Sequence, residues 1–149
     1  MLNDSLLHQT KDVVCSPDAA GATTDLDGVV IDMAQDEGYD GINVVAALGD
    51  VADTCVLNLK LMGSLTSDGA SPVLVAETGT FTAGAATADD KLMVLDVTGP
   101  GYRYVFSRLV RGTANAAVNA VVAKLYKARK KFVTPGTDVI KYAYTPGLG

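Results

Sequence analysis

The chain has 149 residues, of which 48% are hydrophobic and 19% are charged, and its formal net charge is −5. This length suits one domain that buries about two-thirds of its surface, and the scarcity of charge excludes an intrinsically disordered chain. No stretch reaches the roughly 18 apolar residues of a membrane span, and the amino terminus lacks the pattern of a signal peptide. We therefore expect a soluble protein with no membrane partner.

The composition is typical of a β protein. The acidic residues are fifteen Asp and only two Glu, while Gly numbers 15. Solvated helix formers are therefore scarce, and turn-forming Asp and Gly alternate with runs rich in Val.

Short apolar runs separated by turn residues follow a flexible lead-in over residues 1–11. The predicted strands are residues 12–16, 29–33, 42–48, 55–62, 73–77, 92–98, 102–111 and 116–126. Short strands at such regular spacing predict an all-β fold, an antiparallel β-sandwich of the jelly-roll kind over residues 12–126. Period-two alternation places the following residues in its core: Leu57, Leu59, Leu61, Val94, Tyr104, Phe106 and Val121.

Residues 114–131 fit two structures. Val118, Val121, Val122 and Leu125 have helical spacing and several alanines lie between them, so a basic amphipathic helix is a real competitor. The β-branched valines and a plausible hairpin turn at residues 111–113 favour a strand.

Charge divides unevenly along the chain. Residues 1–90 hold fifteen acids and two bases, a net charge of −13, whereas residues 91–149 hold two acids and ten bases, a net charge of +8. Overall acidity disfavours a specific nucleic-acid partner. The basic part of one copy can instead meet the acidic part of another, which predicts a homo-oligomer, with a trimer as one such state.

Residues 127–149 are predicted to form an extended arm that binds a neighbouring subunit, with a basic root and an apolar, aromatic end. Pro and Gly at 135–136 and 146–147 prevent one long helix or strand. An alternative is that this segment binds single-stranded nucleic acid through its bases and aromatics. The predicted partner-binding residues are Lys127, Arg129, Lys130, Lys131, Phe132, Ile140, Tyr142 and Tyr144.

Candidate chemistry is sparse. The one histidine, His8, falls in the lead-in, where a catalytic base would not be held rigidly. Cys15 and Cys55 fit two buried thiols better than a disulfide framework or a metal site. The acids at 25, 27, 36, 37 and 40 lack the ligand order of a calcium-binding EF-hand and fit solvated turns. We expect no enzymatic activity, no metal and no cofactor.

Three stretches carry a resemblance to a known group. They are residues 25–28 (DLDG), residues 38–41 (GYDG) and residues 102–115 (YRYVFSRLVRGTAN). Together with their surroundings, over about residues 10–132, they resemble a group of small structural proteins of tailed bacteriophages. The residues after Phe132 depart from that pattern.

The resemblance implies a virion structural protein, specifically a capsid cement or decoration protein on the outer surface of the particle, with the major capsid protein as its partner. A protein that joins head to tail is the alternative within the particle. A secreted lectin-like adhesin is disfavoured because the sequence has no signal peptide and no Trp.

Overall fold

The computed structural model describes residues 6–129 and 136–141, and the side chain of His8 is not described. Lys130, Lys131, Phe132, Tyr142 and Tyr144, five of the eight residues predicted to bind a partner, lie outside this part of the chain. No helix in the described part is long and apolar enough to cross a bilayer.

Eleven strands, β1 to β11, account for the regular structure in the described part, together with two single-turn 3₁₀ helices at Leu6–His8 and Gln35–Glu37. In chain order the strands are Lys11–Ser16, Ala19–Ala22, Leu26–Asp27, Ile31–Asp32, Tyr39–Val51, Val56–Ser64, Val73–Glu77, Phe81–Thr82, Leu92–Thr98, Tyr104–Gly112 and Ala116–Ala128. The predicted all-β sandwich is confirmed.

Two sheets pack face to face. Sheet A has the order β1-β11-β5-β9, with β2 also beside β11. Sheet B has the order β3-β10-β6-β7, with β4 also beside β10 and β8 also beside β6. Every pairing is antiparallel, and most connections cross from one sheet to the other. This order is that of a jelly roll, which places the last two strands at the centres of the two sheets.

The described part of the segment 114–131 forms a strand, β11, over Ala116–Ala128. β11 runs antiparallel to both β1 and β5, and it buries Val118, Val121 and Leu125 on the core side. Two register shifts, between Ala116 and Ala120 opposite β5, interrupt the regular alternation. The shift between Val118 and Ala120 puts Val118 and Val121 on the same face although they are three residues apart. Val122 lies on the outer face, which is also apolar, so the four residues together have the spacing of a helix.

Four of the seven residues named from the sequence lie in the core, and a fifth, Phe106, is buried on the outer face of sheet B. Leu57, Leu59 and Leu61 are fully buried on β6, and Phe106 and Val121 are also buried. The prediction is wrong for Val94, which is exposed, and for Tyr104, which is half-buried.

The error has a geometric cause. On β10 the residues that face the core are Val105 and Leu109, so the alternating aromatics Tyr104 and Phe106 point to the outer face of sheet B. Phe106 is buried there because the loop around Gly69 covers it, with the Cβ position of Gly69 only 3.4 Å from the ring.

At Gly28 the chain passes close to both sheets and covers one side of the sandwich. Gly28 N donates to Ser107 O on β10 (2.8 Å), and Val29 N donates to Cys15 O on β1 (2.9 Å), so the segment links both sheets. A Cβ at Gly28 would lie 2.6 Å from Ser107 Oγ. Only glycine therefore permits this crossing, which explains the glycine of the DLDG stretch.

Arg111 is a buried cation inside the sandwich. It is 5% exposed. Its Nε donates to Thr24 O (2.8 Å), and its Nη1 donates to Ala20 O (3.1 Å) and Ala116 O (2.8 Å). These bonds tie β10 of sheet B to the 20–24 segment and to β11 of sheet A, so one side chain fastens the two sheets.

We expect Arg111→Met to lower the free energy of unfolding by about 3 kcal/mol, because it leaves the buried carbonyl of Ala116 and the partly buried carbonyls of Ala20 and Thr24 without their donor. Arg108→Met, on the same strand, removes a surface ion pair with Asp27 and a cation–π contact with the Phe106 ring but no buried hydrogen bond, and should cost about 1 kcal/mol. Urea unfolding of both variants measures the difference. Equal losses would show that Arg111 does not fasten the sheets.

Candidate interaction surface

A row of four valines crosses the outer face of sheet A. The strand registers place Val14 opposite Val122, Val122 opposite Val45, and Val45 opposite Val94. Val14 is 39% exposed and Val94 is 52% exposed, while the two central valines are half-buried between their neighbours. Directly opposed β-branched side chains of this kind form a continuous apolar ridge.

Small side chains continue the apolar surface beside the row. Ala120 lies opposite Ala47, and Ala47 lies opposite Leu92, which is 62% exposed. Short side chains leave the sheet flat at this end. We call these seven residues the valine face: Val14, Val45, Ala47, Leu92, Val94, Ala120 and Val122.

A polar border follows on the other side of the row. Lys124 Nζ donates to Asp12 Oδ1 (2.6 Å), and Tyr126 Oη donates to Asp96 Oδ1 (2.7 Å). The Tyr126 ring lies over Gly41, where a Cβ would collide with it. Burial, with the hydrogen bond to Asp96, raises the pKa of Tyr126 to about 12. The phenol is therefore neutral at neutral pH and can donate its hydrogen bond to Asp96.

The outer face of sheet B has a different character. Across it, Lys60 lies opposite Glu77 on one side and Arg108 on the other, and Arg108 Nε donates to Asp27 Oδ1 (2.6 Å). Asn58 Nδ2 also donates to Glu77 (2.9 Å). Charged ladders of this kind suit contact with water.

An apolar row also crosses sheet B, with Met62 between Phe106 and Leu74, but Met62 and Phe106 are buried and only Leu74 is exposed. The outer face of sheet A therefore exposes the longer apolar row and is the better fit for a protein partner.

Of the predicted arm residues, three fall within the described part. Lys127 is exposed near the end of β11, and Ile140 is fully exposed at 101%. Arg129 Nη2 donates to Asp40 Oδ1 of its own chain (2.8 Å) and holds the pKa of that carboxyl below its usual value. Lys127 also lowers the pKa of Asp40 electrostatically, so Lys127 and Arg129 both lie near this carboxylate.

The segment at 136–141 contacts the edge of sheet A within the same chain. Asp138 Oδ2 accepts a hydrogen bond from the backbone N of Val14 (2.9 Å). The Cβ position of Gly136 lies 2.9 Å from the Lys11 side chain. This part of the predicted arm therefore lies against β1.

Charge pairing between the two halves of the sequence also takes place within the chain. Among the described residues, four ion pairs join an acid of residues 1–90 to a base of residues 91–149. They are Asp12 with Lys124, Asp27 with Arg108, Asp32 with Arg103, and Asp40 with Arg129. Ion pairs within the chain thus account for part of the charge asymmetry that suggested pairing between copies.

The acidic residues considered as calcium ligands form separate ion pairs. Asp27 and Asp40 bind arginines, and Asp36 binds Lys11 (2.9 Å). Within residues 6–129 and 136–141, no group of three or more His, Cys, Asp or Glu side chains could hold a metal ion.

Cys15 and Cys55 are free thiols and both are buried, as predicted. Burial raises the pKa of Cys15 from 9.0 to about 11, and burial also raises the pKa of Cys55. Because the thiolate is the reactive form, both side chains are poor nucleophiles at neutral pH.

Comparison with solved structures finds a distant neighbour. The chain is similar to the crystal structure of PBSX exported protein XepA, with a TM-score of 0.51 at 15% sequence identity. The match covers 91% of this chain and 43% of that chain, so this chain spans less than half the length of its neighbour. No protein-family model and no curated protein matches it. The likeness supports the β-sandwich fold.

We expect the stability of the protein to fall as pH rises from about 9 to 11. In this window the unfolded chain ionises Cys15 while the folded chain holds it neutral, so the unfolded state is favoured by up to about 2 kcal/mol. Cys15→Ala removes this contribution and should make the profile less steep, while Cys55, whose pKa burial also raises, retains a dependence of the same sign. Urea unfolding at pH 7, 9 and 11 tests it, and parallel profiles for the two proteins would contradict it.

Proposed function

We propose that the protein is a structural component of a tailed-phage particle, a cement protein that binds the major capsid protein on the capsid surface and stabilises the shell. The valine face carries this proposal. A small domain gains nothing from exposing an apolar row across four strands unless a partner covers it, since water contact with such surface is unfavourable.

Two further observations support a phage context. The motifs at residues 25–28, 38–41 and 102–115 resemble those of small phage structural proteins. The structural neighbour XepA is phage-related. Neither observation selects a place in the particle.

The valine face suits a lattice partner for a physical reason. Each apolar side chain that becomes buried contributes on the order of 1–2 kcal/mol, and the polar border at Asp12 and Lys124 fixes the orientation of the contact. A bound copy that touches two capsid subunits shifts them toward the assembled state by mass action.

No catalytic step is part of the proposal. The thiols are buried and neutral, and Asp27 and Asp40 are engaged by arginines.

The exposed arm residues Lys127 and Ile140 remain proposed partner contacts, in addition to the valine face. In this arrangement the face supplies apolar area. The basic root supplies electrostatic attraction that weakens with salt.

Counting copies in purified particles tests the position. A cement protein should be present in hundreds of copies, because its sites repeat over the shell, whereas a head-to-tail connector forms a ring of about six or twelve. Quantitative gels against the major capsid protein give the number. A protein found only in the culture medium, free of particles, would instead favour export, the property for which the neighbour XepA is named.

Val45→Lys, at the centre of the valine face, should weaken binding to particles that lack the protein by at least tenfold, because a charge replaces a buried apolar contact. Val110→Lys is the matched control, since Val110 is also half-buried but lies on sheet B. Co-sedimentation measures binding, and thermal melts verify that both variants fold. Equal binding of the two variants would remove the valine face from the proposal.

A further inference from the structure

The two sheets have four edges, and three of them are blocked. At β1, Pro17 follows the strand, the register shifts between Val14 and Ser16, and Asp138 occupies the backbone N of Val14. The β3 and β4 edge consists of two-residue strands. The β7 edge has five residues and a register shift in its pairing with β6. Short, bulged or capped edges of this kind resist further pairing.

The fourth edge, β9, has none of these defences. It is seven residues long, pairs with β5 without a register shift, and contains no Pro, Lys or Arg. Its one charge, Asp96, accepts a hydrogen bond from Tyr126 on the same sheet. Within the described residues, no strand lies on its other side.

The backbone groups that β9 turns outward can be assigned. Leu48 N donates to Lys91 O, and Gly99 N donates to Asp40 O, so the odd-numbered residues between them hydrogen-bond to β5. The even-numbered residues therefore direct their N–H and C=O groups to the open side. They are Leu92, Val94, Asp96 and Thr98.

We propose that a second copy of this chain pairs with β9, antiparallel and two-fold symmetric about Val94. Val94 then lies opposite Val94 of the second copy, and the row of four valines becomes a row of eight. Sheet A continues across the dimer, so the two valine faces join into one surface.

Charge and pattern select this register. A pairing centred on Met93 would set Asp90 opposite Asp96, and one centred on Asp96 would set that carboxylate opposite itself. Centred on Val94, Asp96 lies opposite Leu92 and no like charges oppose each other. Centred on Leu95, the pairing would break the valine row by setting Val94 opposite Asp96.

A groove beside β9 adds apolar surface to the strand. It has a volume of about 480 Å³ and is lined in part by Phe81, Leu92 and Met93. Phe81 is itself 46% exposed. Strand pairing alone buries less than the roughly 800 Å² per partner of a standard interface, so we expect a micromolar dimer.

Sedimentation velocity on the full chain, from about 1 to about 100 μM, a range that brackets a micromolar constant, tests the proposal without any phage particle. We expect wild type to dimerise and Val94→Lys to be at least tenfold weaker in dimerisation. Val14→Lys is the matched control, since it lies in the same row and on the same face but on the blocked edge. It should dimerise like wild type. A monomeric wild type overturns the proposal, and so does an equal loss in both variants, which would indicate face-to-face stacking.

Oxidative cross-linking tests the register. Opposed residues in an antiparallel pair have Cα atoms about 5.5 Å apart, within reach of a disulfide. Val94→Cys should therefore form a disulfide-linked dimer when an oxidant such as diamide is added. Leu92→Cys is more exposed in the monomer but should cross-link poorly, because its counterpart lies four residues away along the strand. Faster cross-linking of Leu92→Cys would overturn the register.

Discussion

The pairing of β5 with β11 is the constraint on which the structure depends. Both strands are thirteen residues long, lie in the middle of sheet A, and carry Val or Ala on both faces. Sheet B covers the inner face, where Val44 and Ala123 are completely buried. On the outer face the same two strands hold Val45 and Val122. An apolar surface on the outside is thus a consequence of how the central strands are composed.

The jelly-roll order also explains the uneven charge of the chain. The last two strands, β10 and β11, lie between strands that come from the first 90 residues. Bases concentrated late in the sequence are therefore delivered beside acids concentrated early. Arg108 reaches Asp27 on β3, and Lys124 reaches Asp12 on β1. A sequence divided between −13 and +8 becomes interleaved in space.

Much of the fold could be predicted from the sequence, since alternation such as that of Leu57, Leu59 and Leu61 is a local signal. Which face of β10 points to the core could not be predicted, because Phe106 is buried on the outer face by a loop that is distant in sequence. The concentration of bases late in the sequence predicted a partner-binding arm. One of these bases, Arg129, is paired with Asp40 of the same chain. The valine face was not visible because Val14, Val45, Val94 and Val122 become neighbours only through strand register. Apolar residues on both faces of the 42–48 run were the one available signal.

The central place of β11 has a consequence for synthesis. β1, β5 and β9 leave the ribosome before it, yet β11 is the strand that joins β1 to β5. Until it arrives, sheet A consists of unjoined parts whose apolar edges are free to pair with other nascent chains. Pairing distant in sequence is also slow to form. Emergence of Ala128 from the ribosome therefore sets the earliest moment at which the domain can close, and chains that stall before that point keep these apolar edges exposed.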